Sequence, residues 1–290
     1  MLKKIISSFQ VRYPQLAAKI FNEIPLKPVD EINSDGISNW SFQIPNHVYM
    51  TWENNAFGKT HANELKKFRN RNKDCHFHFF DKVEQSRYMK EYFGNHPIYP
   101  IYVSAKAGAM KADIWRYCIL YERGGFYFDI NKSINIPLNQ LLGPVDQALL
   151  AYENNLFQDV LPKDVSARLP LTLPAHRFNE LQFIDRPLLN WGLAFVPGHL
   201  LLKKTIDNIV SNANFFRNKK FLHIREPIIE FTGPIMLTRS FYDYLREDSS
   251  HTVTQCGIDF HLQANPNLPG SWVRYITSKS YVRQKNMSIL

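Results

Sequence analysis

Residues 105–131, AKAGAMKADIWRYCILYERGGFYFDIN, decide the fold. From Ser104 to Arg123 there is no proline, and Gly108 is the sole glycine among strong helix formers, so a helix of about five turns is expected. Asp113 and Arg116 stand at i and i+3 and share one face of it. Gly124 and Gly125 are expected to stop the helix in the manner of a left-handed C-cap, and Phe126–Ile130 have the aromatic and β-branched character of a strand. Alternation then turns Phe126, Phe128 and Ile130 to one side and Tyr127, Asp129 and Asn131 to the other. A phenol and two oxygen-bearing side chains at the carboxyl end of a strand stand where ligands bind in open α/β sheets. Taken alone, Asp113 with Arg116 reads better as an ordinary surface ion pair, and Asp129 with Asn131 as a couple that shapes the following turn. Together, flanking two glycines, they point to a small-molecule site.

The pattern A-x-K-A-D-x-x-R-Y…L-Y-x-x-G-G-x-Y-x-D-x-N resembles the DXD-containing sugar-transferase region of glycosyltransferase family 32, which includes yeast-type mannosyltransferases and is related to the glucosylating toxins. Ile44–Trp52 (IPNHVYMTW), Asn190–His199 (NWGLAFVPGH), Thr232-Gly233-Pro234 and Gly270-Ser271-Trp272 resemble further segments of that family in the same order. The resemblance implies an α/β chain of the GT-A, Rossmann-like fold, with a nucleotide-sugar donor, UDP- or GDP-linked, as ligand. It also implies transfer to a glycan or lipid-linked acceptor with retention of anomeric configuration. In a front-face retaining reaction the leaving phosphate can take the acceptor's proton, so no protein base is required.

Roles follow from that resemblance. Asp113 is expected to accept from donor hydroxyls and Arg116 to hold sugar or phosphate oxygens through its planar fork. Trp52 is suited to stacking on the base, with a core tryptophan as the structural alternative. Tyr127, Asn190, Ser271 and Trp272 complete the expected donor contacts, although packing by Tyr127 and capping by Asn190 are equally open. The element D-x-D is here Asp129-x-Asn131, so one anionic oxygen of the usual metal pair becomes a neutral carbonyl. Carbonyls do ligate hard cations, and Mg²⁺ or Mn²⁺ remains expected at Asp129 and Asn131, with His261 as a loosely matched third ligand. Alternatively, Lys132 and Arg274 stabilise the leaving diphosphate in place of part of the metal's role. No second carboxylate partner to Asp129 stands out in the sequence, which argues against glycoside hydrolysis.

Composition agrees with one large core, or with a main domain and a helical appendage: 290 residues, 44% hydrophobic and 21% charged. Three cysteines, odd in number and without metal spacing, read as reduced thiols. His76-x-His78 reads as one face of a strand. Thirty-five basic residues stand against 26 acidic ones, giving +9, with clusters at 66–73 and 217–220. No nucleic-acid signature accompanies them, so no nucleic-acid partner is expected; an anionic donor and anionic lipid-linked acceptors account for the sign. No run of about 18 apolar residues occurs. The opening segment, MLKKIISSFQVRYPQLAAKIFNEI, is too short and polar for a signal peptide and reads as a helix packed on the domain or lying at a membrane interface. The expectation is a cytoplasmic enzyme acting on an envelope or capsule glycan, with peripheral association at the inner membrane face open.

The expected organisation is an N-terminal helix and linker over 1–43 and a catalytic domain over 44–290. Helices are expected at 60–71, 83–93 and 234–245, and a strand at 75–80. Thr232 is read as the cap of the helix that Pro234 opens. Beyond Leu150, Pro162, Pro170, Pro174 and Pro187 punctuate the half expected to face the acceptor.

Overall fold

The computed structural model describes residues 6, 8–10, 12–29, 40–157, 182–183, 185–247, 253–276 and 285–290. Asp35, Gly36, Pro162, Pro170 and Pro174 lie outside these. The chain opens with α1 (Pro14–Ile20), then β1 (His47–Thr51), α2 (Lys59–Arg71), β2 (His76–Phe80), α3 (Lys82–Phe93), α4 (Ile98–Ser104), α5 (Gly108–Arg123) and β3 (Gly125–Phe128). There follow β4 (Ser133–Ile134), β5 (Ala148–Tyr152), β6 (Gly192–Phe195), α6 (Leu200–Phe216), β7 (Phe221–His223), α7 (Arg225–Phe231) and α8 (Pro234–Glu247). Last come β8 (Val253–Ile258), β9 (Ala264–Asn265), a 3₁₀ turn over Ser271–Ile276, and β10 (Lys285–Met287).

Among the described residues, six strands form one sheet in the order β2-β1-β3-β6-β5-β8. All run parallel except β6, which is antiparallel to both its neighbours. This is the open, mostly parallel α/β sheet that the sequence led us to expect. Alternation along β3 feeds the two faces of the sheet: Tyr127 joins a core with Trp115, Ile119 and the helices α3 to α8, while Phe126 and Phe128 join Phe68, Phe77 and Leu189 on the opposite face.

Local chemistry explains the elements. Asp81 accepts from the backbone N–H groups of Val83 and Glu84, while Glu84 accepts from the Asp81 N–H, a reciprocal cap that starts α3. Phe77 and Phe79 of β2 are buried and His76, His78 and Phe80 half-buried, the alternation expected of a strand. The parallel register brings His47 of β1 against both β2 histidines: its Nδ1 is 2.9 Å from His78 Nε2, and its ring stacks on His76.

The glycine pair is demanded by close approach. A Cβ on Gly125 would meet the His47 carbonyl oxygen at 2.5 Å, and one on Gly124 would meet Pro197 Cδ at 2.6 Å. Gly124 ends α5 at φ +64°, ψ −165°, a conformation open to glycine but not the left-handed helical cap anticipated. The helix is also shorter than expected: it starts at Gly108 because α4 ends at Ser104 and residues 105–107 pass between the two helices along the cleft described below. Around the expected linker, the Lys27 and Phe57 backbones exchange two hydrogen bonds.

Candidate active site

The carboxyl ends of β1 and β3 open onto a cleft of about 1060 Å³. Trp52 follows β1 into it and Asp129 follows β3; α5 supplies Asp113 and Arg116, and the 3₁₀ turn supplies Arg274 and Tyr275. Among the described residues, six cations, Lys82, Lys106, Lys111, Arg116, Lys132 and Arg274, line this space against three acids, Glu53, Asp113 and Asp129. A cavity with that balance suits an anionic ligand.

At its floor is a buried polar network. Arg116 Nη2 lies 3.1 Å from both Asp113 Oδ1 and Asp129 Oδ1, bridging the helix to the strand end. Its Nη1 donates to the Asn190 carbonyl, and its guanidinium sits 4.4 Å from the centre of the Tyr127 ring. The Tyr127 hydroxyl donates to Asp129 Oδ1 at 2.7 Å. Asp113 accepts from the Asn190 amide at 3.1 Å and from the Thr232 hydroxyl at 2.9 Å. Thr232 is therefore spent on the site and on Ile228 O, not on capping α8.

Burial pushes the Asp113 carboxyl up to about 7, against the pull of Arg116, Thr232 and Asn190. Burial also opposes the charge of Arg116, but Tyr127, Asp129 and Asp113 outweigh it and hold the guanidinium cationic. Asp129 is different in kind: 31% of its side chain is exposed, so it is the acid of the network that a ligand can reach. His61, fully buried on α2, lies with Nε2 2.9 Å from the carbonyl of Ile130, the residue between Asp129 and Asn131. That contact fixes the turn from behind, with burial pushing the imidazole down to about 4 and so keeping it neutral.

Of the residues expected from sequence, Trp52, Asp113, Arg116, Tyr127, Asp129, Asn131 and Asn190 all line the cleft. The Trp52 Nε1–H is buried with no hydrogen-bond acceptor among the described residues. Ser271 and Trp272 do not line it. Ser271 is buried in the 3₁₀ turn and Trp272 packs edge-on against Phe21 at 6.0 Å, while their neighbours Arg274 and Tyr275 face the cleft. His261 is exposed, in a left-handed kink at φ +57°, and is not brought to Asp129.

Among the described residues, no group of three or more His, Cys, Asp or Glu side chains is placed to hold a metal. The oxygens at hand are the Asp129 carboxylate and the side-chain carbonyl of Asn131, whose amide lies 3.4 Å from Asn267 Oδ1. One anionic and one neutral oxygen fit a hard dication that takes most of its ligands from phosphate and water.

Glu153 was not singled out by sequence. It directly follows β5, as Asp129 follows β3, and both strands point the same way on either side of β6. Strand spacing puts the two strand ends roughly 10 Å apart. Burial, with the Asp259 and Asp129 charges, pushes Glu153 up to about 7, while Lys132 and Arg225 oppose this. Glu153 thus stands two strands from Asp129, close enough for the two charges to influence each other, but it is not among the residues that line the cleft. The signal for it was an acid directly after the apolar run ALLAY.

Residues 31–147 match the family model described as the glycosyltransferase sugar-binding region containing DXD motif. Over 140 residues, 47% of this chain, the sequence is 26% identical to the initiation-specific alpha-1,6-mannosyltransferase of Schizosaccharomyces pombe (strain 972 / ATCC 24843), of which the aligned stretch spans only 32%. Among solved structures, the PaToxG glycosyltransferase aligns over 85% of this chain and 83% of its own, at 16% identity and a TM-score of 0.48. The matched region contains Trp52, Asp113, Arg116 and Asp129, side chains that the cleft draws together, so this part of the chain is similar to the DXD-type sugar-binding region of glycosyltransferases.

Proposed function

We propose that this protein moves a sugar from a UDP- or GDP-linked donor to a glycan or lipid-linked acceptor, with retention of configuration. The observation that carries this reading is Asp129. It is held from behind by Arg116 and Tyr127, yet is exposed to a cleft rich in cations. Breaking the anomeric bond places charge on the leaving diphosphate, and fixed cations aimed there lower the barrier. Lys132 and Arg274 line the cleft and suit that role. Trp52 offers an aromatic face for the base at the end of β1.

Arg116 and Asp113 act mainly by positioning in this reading. The guanidinium is committed to two carboxylates and a carbonyl, so its part is to hold Asp129 in one orientation toward the sugar. Asp129 and Asn131 would hold Mg²⁺ or Mn²⁺, which when bound supplies charge neutralisation at the diphosphate.

A thermal-shift panel of UDP-, GDP- and CMP-sugars, with and without Mn²⁺, tests the proposal. Stabilisation by one nucleotide-sugar class, lost in Asp129→Ala, together with release of free sugar or transfer to an acceptor, is the expected result. Donor binding without turnover would instead identify a binding protein with a degenerate D-x-N element. No response to any donor, with salt-sensitive binding to DNA or RNA, would overturn the reading.

A further inference from the structure

The first helix is amphipathic in an inverted sense. Its buried side is made of Ala17 and Ala18, both at 0% exposure, while Tyr13, Leu16, Ile20 and Ile24 stand outward at 49, 53, 61 and 39%. Tyr13, Leu16 and Ile20 are spaced by three and four residues and so form one stripe along the helical face, with Ile24 exposed just beyond the end of the helix. Phe21 adjoins it at 43%. A helix serving only to cover the domain would turn its large apolar side chains inward; here the small ones face the protein and the large ones face solvent.

Among the described residues, the outward charges around the stripe have one sign. Arg12, Lys19 and Lys27 are exposed. Glu23, the only acid among the described residues from 12 to 29, is buried and accepts the Thr60 N–H at 2.8 Å. Its charge is directed into the protein at the start of α2, and the outward face is apolar with a basic border. A second copy of the same face would set these cations against each other. A bilayer carrying anionic headgroups satisfies both features at once, taking the apolar stripe into the headgroup–acyl boundary and pairing the cations with phosphates.

We infer that α1 is a docking surface for an anionic lipid bilayer. Its position ties docking to the cleft: Phe21 packs against Trp272, and two residues on, the same 3₁₀ turn presents Arg274 and Tyr275 to the cavity. Docking would hold one wall of the cleft at the membrane surface, where an acceptor anchored in lipid is presented. The lipid contact itself needs no sugar donor, so it stands or falls separately from the transfer reaction.

Flotation of the full chain with vesicles of 30% phosphatidylglycerol in phosphatidylcholine, against pure phosphatidylcholine, tests the inference. Binding is expected to the anionic vesicles at 50 mM salt and to fall at least tenfold at 500 mM. The same loss is expected in Leu16→Ser/Ile20→Ser and in Lys19→Glu at low salt. All three positions are solvent-exposed, so these variants should keep the wild-type melting temperature and the wild-type response to nucleotide sugars, if there is one. Absence of vesicle binding by the wild type at low salt, or equal binding by wild type and variants, would overturn the inference. A concentration-dependent dimer that the double variant dissolves, without vesicle binding, would assign the face to a second copy instead.

Discussion

Asp129 spends one of its two carboxylate oxygens inside the protein, on Tyr127 and Arg116, leaving the other for ligand chemistry. With Asn131 beside it, a dication would find a single free anionic oxygen there. Asn131→Asp restores the second, and Mn²⁺ affinity measured by calorimetry should rise about tenfold or more. An unchanged affinity would mean that residue 131 does not reach the ion. Glu153 offers a second test at this scale. A carboxyl held near 7 should give the wild-type rate a limb in that range; Asp113 and Glu153 share that range, so Glu153→Gln decides between them, the limb vanishing where Glu153 supplies it and persisting where Asp113 does. A profile unaltered by the substitution would leave Glu153 with packing alone. Asp113, Arg116 and Asp129 were legible from sequence because their spacing around two glycines is local. Glu153, Thr232 and His61 were not, because each belongs to an element distant in the chain. His61 on α2 meets Ile130 across 69 residues, and Thr232 meets Asp113 across 119.

Among the elements, the α5–β3 junction is the most constrained. Gly125, at φ +94°, lies with its Cα face against the His47 carbonyl, so the helix can turn into the strand only if β1 finds no side chain there. Gly125→Ala combines positive-φ strain with a backbone clash, and a loss of about 3 kcal/mol or more is expected in denaturant unfolding. A smaller loss would show that β1 can shift away. The spans of α2, β2, α3 and α8 were readable to within a residue or two because their periodicity and caps are local. The start of α5 was not: residues 105–107 have helix-forming character, but they link α4 to α5 along the cleft. The C-terminal Ser271-Trp272 pair misled for a related reason. A 3₁₀ turn presents alternate sides in quick succession, and the pair's neighbours took the cleft.

Over the whole molecule, stability should carry an acid-sensitive contribution from the β1–β2 histidines. Burial, with His47, His76 and Arg123 nearby, pushes His78 down to about 4, and burial lowers His47 as well. Unfolded histidines titrate near 6.5, so between pH 6.5 and 4 the unfolded chain binds more protons. This contribution is complete above 6.5 and drains away on acidification. Asp113 and Glu153, both raised to about 7, act with the opposite sign over a similar range, so the difference between variants is the informative quantity. His78→Phe keeps an aromatic ring beside Tyr49 and should melt with a shallower fall in Tm from pH 6.5 to 4 than wild type. Parallel melting curves across that range would discharge the histidines from any role in acid stability.

The single reversed strand, β6, has a bearing on how the chain is assembled in time. It enters between β3 and β5 from later in the sequence and brings Asn190 to the acids. Until β6 arrives, β3 has an open edge on that side, and Arg116 lacks the Asn190 carbonyl. A nascent chain that has emerged only as far as β5 therefore has the D-x-N element but no finished pocket, and an unpaired strand invites mispairing. Two fragments divided between β5 and β6 should each be poorly folded alone and, on the proposed function, recover nucleotide-sugar binding on mixing. Donor recognition would then be a late event in folding, acquired only when the second half of the chain closes the sheet.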